Sequence, residues 1–197
     1  MRPYLLGVWC ALFGLLLPTL VQAQQNAHIS SAKASRQGHV LTVSFIVEGA
    51  FTPKMEEAVQ SGIPQTFTYQ FEVYRVVTAW PDQRIYNWTI KRTIRYDTLK
   101  KIYTVELGSD AKPKQTDDLA VAKTWMTSFT DFPVAVVPAL DPSTDYYARV
   151  KAELDPVQWP LHLNKILFLA NLWSFETPWM RVDLPIKAWN ETTTPTP

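Results

Sequence analysis

The segment FTPKMEEAVQSGIP carries two adjacent acids, Glu56 and Glu57, and paired acids are the residue set used in glycosidic bond hydrolysis. That chemistry requires two carboxyl groups about 5 to 10 Å apart on either side of the bond. Thr52 followed by Pro53 is typical of a helix start, and neighbouring residues of an α-helix point about 100° apart. Carboxylates in the first turns of a helix are stabilised by its free amides and dipole. We therefore interpret the two acids as helix-start charges rather than a catalytic pair.

The other residue types that commonly do chemistry are sparse and widely spaced. The three histidines, His28, His39 and His162, lie far apart, and no two of them show metal-ligand spacing beside a carboxylate. The serines lack the GxSxG pattern of a nucleophile elbow. The single cysteine, Cys10, lies inside an apolar N-terminal run. The sequence therefore predicts no metal site, no cofactor and no enzymatic activity.

Arg92 is the most informative charged residue, because it falls between Ile90 and Ile94 on the apolar face of an alternating strand. An unpaired charge there would cost several kcal/mol, so we expect Arg92 to be paired, or the strand to carry a bulge or form an edge. Glu72 and Asp97 are the candidate partners. The reading that we favour is an arginine whose stem covers the core and whose head is at a rim or in an internal ion pair. The alternative is a site for an anionic ligand.

The tryptophans are numerous for a chain of this size. By their spacing, Trp88 and Trp125 are predicted to be core residues. The others include one in a turn and three around an apolar C-terminal segment, which would suit an exposed patch for a partner, a lipid or a membrane interface. Burial of this group in the core is the alternative that the rarity of such patches favours. The candidate binding residues are Trp80, Arg92, Trp159, Trp173 and Trp179.

Residues 1–23 have the pattern of a secretory signal peptide. Arg2 precedes an apolar run, and Val21 and Ala23 occupy the small positions of a cleavage site after Ala23. Pro18 interrupts the run, which is short for a membrane span. We expect cleavage and, in a bacterium, a periplasmic protein. An uncleaved N-terminal anchor is the alternative.

The chain that remains after cleavage is predicted to be one β-rich domain, residues 24–187, with a disordered Thr/Pro tail at residues 188–197. Removing Arg2 leaves 18 basic residues against 18 acidic ones. A neutral chain lacks the basic stripe that nucleic-acid binding requires, so we exclude nucleic acid as a partner. Removing Cys10 leaves no thiol and no disulfide. The sequence predicts no transmembrane helix in the mature protein, although membrane contact stays open.

Two segments are predicted to be short amphipathic helices. The first covers Pro53–Ser61, where Gly62 and Pro64 mark the end. The second begins at Thr116 and extends to about Thr130. A third, less regular apolar segment at Val157–Trp173 is interpreted as helical.

Most of the remaining chain alternates with a period of two, which is typical of half-buried strands. The inward positions are Phe67, Tyr69, Phe71 and Val73 in one strand, Tyr86 to Tyr96 in the next, and Tyr146 to Leu154 in a later one. The predicted outward positions are Thr66, Thr68, Gln70 and Glu72 in the first of these strands and Tyr147, Arg149, Lys151 and Glu153 in the last. KIYTVEL and SFETPWMRVDLPI are predicted to be further strands. The short turns between them favour antiparallel pairing. We predict a mainly β fold, an antiparallel β-sandwich or strongly curved sheet with two or three short covering helices.

Four segments resemble an uncharacterised exported bacterial family, domain of unknown function 4390. They are FTPKMEEAVQSGIPQTFTYQFEVYR, IKRTIRYDTLKKIYTVEL, DYYARVKAELD and LWSFETPWMRVDLPI, and the resemblance covers Val40–Ile186. It implies a signal-bearing protein, in a family whose members are often encoded near a nitrogen-regulation-type sensor histidine kinase. It implies no activity and no catalytic residue.

Taken together, these features predict a non-catalytic periplasmic interaction protein, an accessory to an envelope sensor histidine kinase. Its envelope protein partner would bind an aromatic surface near Trp159 to Trp179. The alternative is a carrier or sensor of an apolar, lipid-like ligand, with a helix around Leu161 to Leu172 as a lid. The weakest alternative is an envelope hydrolase that uses Glu56, Glu57 or Asp97.

Overall fold

The structure is a computed structural model that describes residues 27–109, 111–136, 140–141, 143–155 and 174–186. The predicted signal peptide at 1–23, the predicted helix at Val157–Trp173 and the predicted tail at 188–197 lie outside these residues.

The described part of the chain consists mainly of antiparallel strands. In chain order the elements are β1 (His28–Gln37), β2 (Val40–Glu48), α1 (Pro53–Gln60), β3 (Gln65–Arg75), β4 (Gln83–Asp97), β5 (Ile102–Glu106), β6 (Lys114–Thr116), α2 (Leu119–Thr127), β7 (Ser128–Val136), β8 (Tyr146–Leu154) and β9 (Met180–Leu184). A three-stranded sheet has the order β1-β2-β7, and a six-stranded sheet has the order β6-β5-β4-β3-β8-β9. The predicted mainly β, sandwich-like fold with antiparallel sheets and short helices is therefore confirmed.

The core lies between the two sheets and is rich in aromatic rings. Phe45 of the small sheet stacks on Phe129 of the same sheet at a centroid distance of 4.5 Å. Across the core, the Phe45 ring meets the edge of Phe71 in the large sheet at 5.9 Å. The four inward residues predicted for β3, from Phe67 to Val73, are all buried. Alternation alone locates this face because side chains of a strand point to opposite sides in turn.

The outward face of β3 is less exposed than its polar sequence suggests. Thr68 and Glu72 were expected to face solvent, yet both are buried. They point away from the core but bond to side chains around them: the hydroxyl of Thr68 donates to Asp155, and Arg84 and Arg149 donate to Glu72. Sequence alternation therefore gives the correct face here but not the degree of exposure.

The helices lie close to their predicted bounds, with two differences, both in α2. The predicted start, Thr116, is the last residue of β6, and Asp118 caps the helix instead by accepting a hydrogen bond from the amide of Ala120 at 2.7 Å. Thr52 caps α1 by accepting a hydrogen bond from the amide of Met55 at 3.2 Å. The second helix ends at Thr127, three residues before the predicted end at about Thr130. Phe129 pairs with Phe45 in the small sheet, so the strand begins as soon as this ring must enter the core. Tertiary pairing overrides helical periodicity at this junction.

Candidate functional site

Arg92 is a buried structural residue rather than part of an exposed site. Its Nη1 donates to the carbonyl oxygens of Trp125, Met126 and Ser128 at 2.8, 3.3 and 2.7 Å. These carbonyls lie at the end of α2, which carries the negative end of the helix dipole. The guanidinium carbon also lies 3.4 Å from the ring centroid of Phe129. Arg92 thus holds α2 and the start of β7 against the large sheet.

The prediction that Glu72 or Asp97 pairs with Arg92 is wrong. Glu72 lies on the opposite face of the large sheet, where it pairs with Arg84 and Arg149. Asp97 instead accepts hydrogen bonds from the backbone amides of the turn that follows β4. Burial lowers the pKa of Arg92 to about 10, so the side chain remains cationic at neutral pH. Backbone carbonyls, not an acid, therefore compensate this charge.

The outer face of the large sheet carries an ordered row of aromatic rings and arginines. At its centre, the guanidinium carbon of Arg149 lies 4.7 Å from the ring centroid of Tyr74 and 4.5 Å from that of Trp179. Arg149 therefore lies against two rings in the geometry of cation–π contact. Trp179 is one of the predicted binding residues, and it is 36 % exposed.

The row continues from Tyr74 across β8 to β9. Tyr74 stacks on Tyr147 at a centroid distance of 5.2 Å with an angle of 4° between the ring planes. The guanidinium carbon of Arg181 then lies 3.7 Å from the ring centroid of Tyr147. We call the set Trp179, Arg149, Tyr74, Tyr147 and Arg181 the aromatic–arginine row. Its members come from β3, β8 and the β9 region.

Glu72 lies beneath the row and fixes its central arginine. Its Oε2 accepts from Nε of Arg149 at 2.5 Å and from the hydroxyl of Tyr74 at 3.1 Å, while Oε1 accepts from Nη1 of Arg84 at 2.6 Å. Burial raises the pKa of Glu72, but the hydrogen bonds from Arg149, Arg84 and Tyr74 outweigh it and leave the pKa below its ordinary value. The carboxylate is therefore ionised at neutral pH and holds both arginines in place.

The charges described on this outer face are balanced by direct pairing. The salt bridges are Arg84–Glu72, Lys91–Asp155, Arg95–Glu106, Arg149–Glu72, Lys151–Glu153, Lys151–Glu176 and Arg181–Asp183, which join six cations to six acids. Such a face does not present the excess positive charge that attracts nucleic acid or an anionic lipid surface.

The loop between β3 and β4 joins the row at its Tyr147 end. The hydroxyl of Tyr147 donates to Oδ2 of Asp82 at 3.1 Å, and Oδ1 of Asp82 accepts from the amide of Val77 at 3.3 Å. Trp80, another predicted binding residue, lies in this loop and is 77 % exposed. The structure thus connects the loop of Trp80 to the row that contains Trp179, two residues that the sequence could not relate.

The other candidates do not join this site. Trp159 and Trp173 lie outside the described residues. Trp88 and Trp125, predicted as core residues, are half-buried against the core. Glu56 is paired with Lys123 of α2, so it links the two helices. Within the described ranges, no group of three or more His, Cys, Asp and Glu residues is placed to hold a metal ion.

A second feature is an apolar groove between β4 and β7. Its volume is about 430 Å³, and its lining is formed by Val40, Tyr86, Trp88 and Pro133–Val136. Trp88, one of the lining residues, stacks on Phe71 at a centroid distance of 5.5 Å. In the described part of the chain, β5 pairs with β4 only from Thr93 onward, which leaves the first half of β4 open on this side.

Sequence reasoning missed most of the row, although a signal for it exists. The outward positions of β8 were predicted to include Tyr147 and Arg149, and those of β3 to include Glu72. What was missing is the register, because Glu72 and Arg149 are 77 residues apart in the chain. Aromatic and arginine residues at outward positions of several strands are the pattern that would have pointed to this face.

These observations define a class of protein: a sandwich-like β domain with a charge-balanced aromatic face. A family model described as Domain of unknown function (DUF4390) matches residues 24–183, and the chain belongs to this family. Searches of curated proteins and of solved structures gave no match. Within the described residues, neither helix is long and apolar enough to cross a membrane.

Proposed function

We propose that the protein is a non-catalytic interaction protein of the bacterial periplasm that binds an envelope protein through the aromatic–arginine row. The observation that carries this proposal is Arg149, held between the rings of Tyr74 and Trp179 on an outward sheet face. Trp, Tyr and Arg are the residue types enriched in the hot spots of protein–protein interfaces. Their clustering on one face supports a binding role.

The row also supports binding because its side chains are ordered before a partner arrives. Glu72 fixes Arg149 and Arg84, and ring stacking fixes Tyr74 against Tyr147. Ordering long side chains on association costs about 0.5 to 1.5 kcal/mol for each one immobilised. A face that is already ordered avoids much of this cost.

The balanced charge of the face favours a protein partner over a polyanion. Each cation of the row has a carboxylate neighbour, so association would depend on stacking and hydrogen bonds more than on net charge. We propose a periplasm-facing segment of a membrane-associated protein as partner. The first candidate to test is the sensor histidine kinase that the family resemblance implies.

In vivo photo-cross-linking tests this proposal. A photoreactive residue replaces Asp183, whose side chain is 76 % exposed beside the row, or Glu48, which is 55 % exposed on the small sheet and serves as control. We expect a defined protein adduct at Asp183 that is absent at Glu48. The partner, once identified, is purified and titrated against the wild-type protein and Arg149→Ala. No adduct at Asp183, or equal adducts at both positions, would count against the proposal.

The kinase assignment has its own test. If the protein is a kinase accessory, deletion of its gene changes the output of the kinase, and Arg149→Ala reproduces the change. A kinase output that is the same in the wild type and the deletion strain removes the kinase as partner, while the cross-linking result still decides the binding role.

A second candidate function is the binding of an apolar ligand, and the groove between β4 and β7 favours it. Its lining residues are apolar or aromatic, and Tyr86 and Val136 are 39 % and 49 % exposed at its opening. Clefts of a few hundred Å³ with such linings are typical of small-molecule sites. Native mass spectrometry of the protein isolated from envelopes tests this function. A lipid-like adduct lost in Val136→Glu supports it, and an unmodified mass counts against it.

A further inference from the structure

Trp80 is the most exposed aromatic side chain in the described part of the chain. It is 77 % exposed, compared with 39 % for Tyr86 and 36 % for Trp179. Its loop follows β3 and precedes β4 at the Tyr147 end of the row. An exposed tryptophan loses favourable burial, so its position calls for a physical reason.

The loop around Trp80 is braced on both sides. Both oxygens of the Asp82 carboxylate accept hydrogen bonds, one from the amide of Val77 and one from the hydroxyl of Tyr147. The amide of Val76 donates to the carbonyl of Asp145 at 2.9 Å, which ties the start of the loop to the segment before β8. The loop is therefore attached to the sheet at several points rather than free.

The backbone at the loop tip is strained. Ala79 has φ of +59°, a left-handed conformation that is unfavourable for a residue with a Cβ atom. The amide of Trp80 donates to the carbonyl of Val77 at 3.4 Å and closes the turn. Ser31, Lys101 and Asp131 also have positive φ, so the exposed indole that follows Ala79, and not the strain alone, distinguishes this turn. Here Ala79 directs Trp80 outward from a fixed turn.

We propose that Trp80 is the anchor residue of the interface: its indole enters an apolar pocket on the protein partner, and the aromatic–arginine row makes the surrounding contacts. This inference rests on the proposed function. A rigid tryptophan supplies a large contact area with little loss of side-chain entropy, and its Nε1–H donates to an acceptor in the pocket. A braced loop lowers the cost of ordering on binding.

The surroundings of Trp80 favour a protein pocket over a membrane surface. Asp82 places a carboxylate two residues away, which an anionic lipid surface would repel. The other strongly exposed apolar side chain, Leu99, lies in the turn beyond the far end of β4. The 15 residues of β4 separate the two by roughly 50 Å, so Trp80 and Leu99 do not form one contiguous apolar patch. One aromatic side chain is weak as a membrane anchor.

The test is the affinity of purified full-length variants for the partner identified by cross-linking at Asp183. Trp80→Ala is expected to weaken binding about 30-fold or more, the loss that defines a hot-spot residue. Leu99→Ala is the matched control, since Leu99 is 94 % exposed at the opposite end of the sheet, and its affinity should equal that of the wild type. Ala79→Gly keeps the indole but relaxes the turn, and we expect binding several-fold weaker with no loss of thermal stability.

The outcomes separate this inference from the proposed function. Suppose that Trp80→Ala binds the partner within twofold of the wild-type affinity while Arg149→Ala binds much more weakly. The proposal that Trp80 is the anchor residue is then refuted, and the aromatic–arginine row is still supported as the binding surface. If both variants bind with the wild-type affinity, or if cross-linking yields no partner, the anchor role of Trp80 and the binding role of the aromatic–arginine row are both refuted. Co-sedimentation with phosphatidylglycerol and phosphatidylethanolamine vesicles that is lost in Trp80→Ala would also overturn the anchor, because it assigns Trp80 to a membrane surface.

Discussion

The carboxylate of Glu72 accepts a 2.5 Å hydrogen bond from Nε of Arg149 on the outer face of the large sheet. The two residues are direct cross-strand partners in the pairing of β3 with β8. Because the Glu72 side chain is only 10 % exposed, the bond is shielded from water and is stronger than a surface ion pair. This pair orients the guanidinium that lies between Tyr74 and Trp179.

We predict that Glu72→Gln lowers the free energy of unfolding by about 2 kcal/mol, since two arginines lose a charged acceptor. The control is Glu106→Gln, which breaks the 3.7 Å pair with Arg95 on the same face. Both members of that pair are well exposed, so the expected loss is below about 0.5 kcal/mol. Urea unfolding measures both values, and equal losses would contradict the prediction.

The same pair predicts a pH dependence. The pKa of Glu72 is lower in the folded protein than its ordinary value of 4.5. The unfolded state therefore binds the proton more readily, and the stability from ionised Glu72 is present above the ordinary pKa and lost as the pH falls through the folded pKa. The difference in unfolding free energy between the wild type and Glu72→Gln should be constant from pH 7 to pH 6 and shrink below about pH 4.

Urea titrations at constant ionic strength measure this difference at each pH. A gap that stays the same down to pH 3, or that grows there, would show that the Glu72 charge does not stabilise the fold. Glu106→Gln again serves as the control.

Arg92 leads to a prediction about the core. Replacement by methionine keeps the apolar stem but leaves carbonyls at the end of α2 without their donor. We expect a loss of about 3 kcal/mol in the free energy of unfolding, because part-buried carbonyls lose a charged donor. Arg92→Lys should lose less stability than Arg92→Met, because its ammonium group can still donate to one or more of these carbonyls. Arg95→Met, at a well-exposed position, is the control and should change the free energy of unfolding little. An equally small change for Arg92→Met would show that Arg92 does not hold α2 and β7 against the large sheet.

Arg92 also shows where sequence reasoning stops. Its inward position follows from alternation with Ile90 and Ile94. Because burying an unpaired charge is costly, the sequence also predicts that Arg92 has partners, and it does. The partners are backbone carbonyls, which carry no residue-type signal, and they depend on where α2 ends. The end of α2 depends in turn on the pairing of Phe129 with Phe45. Local patterns predicted the strands, but contacts between distant strands decide the partners.

Tyr147 tests the brace of the Trp80 loop. Tyr147→Phe keeps the ring on Tyr74 but removes the hydroxyl that donates to Asp82. We expect a loss of about 1 kcal/mol and faster hydrogen exchange confined to residues 76–82. The matched control is Tyr146→Phe, which removes a hydroxyl that accepts from the amide of Asp141. If exchange in the Trp80 loop is equally fast in both variants, Tyr147 does not brace the loop.

Arg149→Lys separates the charge of the row from its geometry. Lysine keeps the positive charge near Glu72 but has no planar group to lie against Tyr74 and Trp179, so this exchange is not conservative at a stacked site. We expect Arg149→Lys to weaken binding to the cross-linked partner about tenfold. We also expect the fluorescence of Trp179 to be quenched more strongly by acrylamide. The Trp179 contribution is obtained by subtracting the fluorescence of the double variant that also carries Trp179→Phe. The control, Arg95→Lys, changes an exposed arginine on the same face that belongs to no ring contact described for the row. Unchanged quenching and binding in Arg149→Lys would mean that charge alone is sufficient, and that the planar stack is not what the partner recognises.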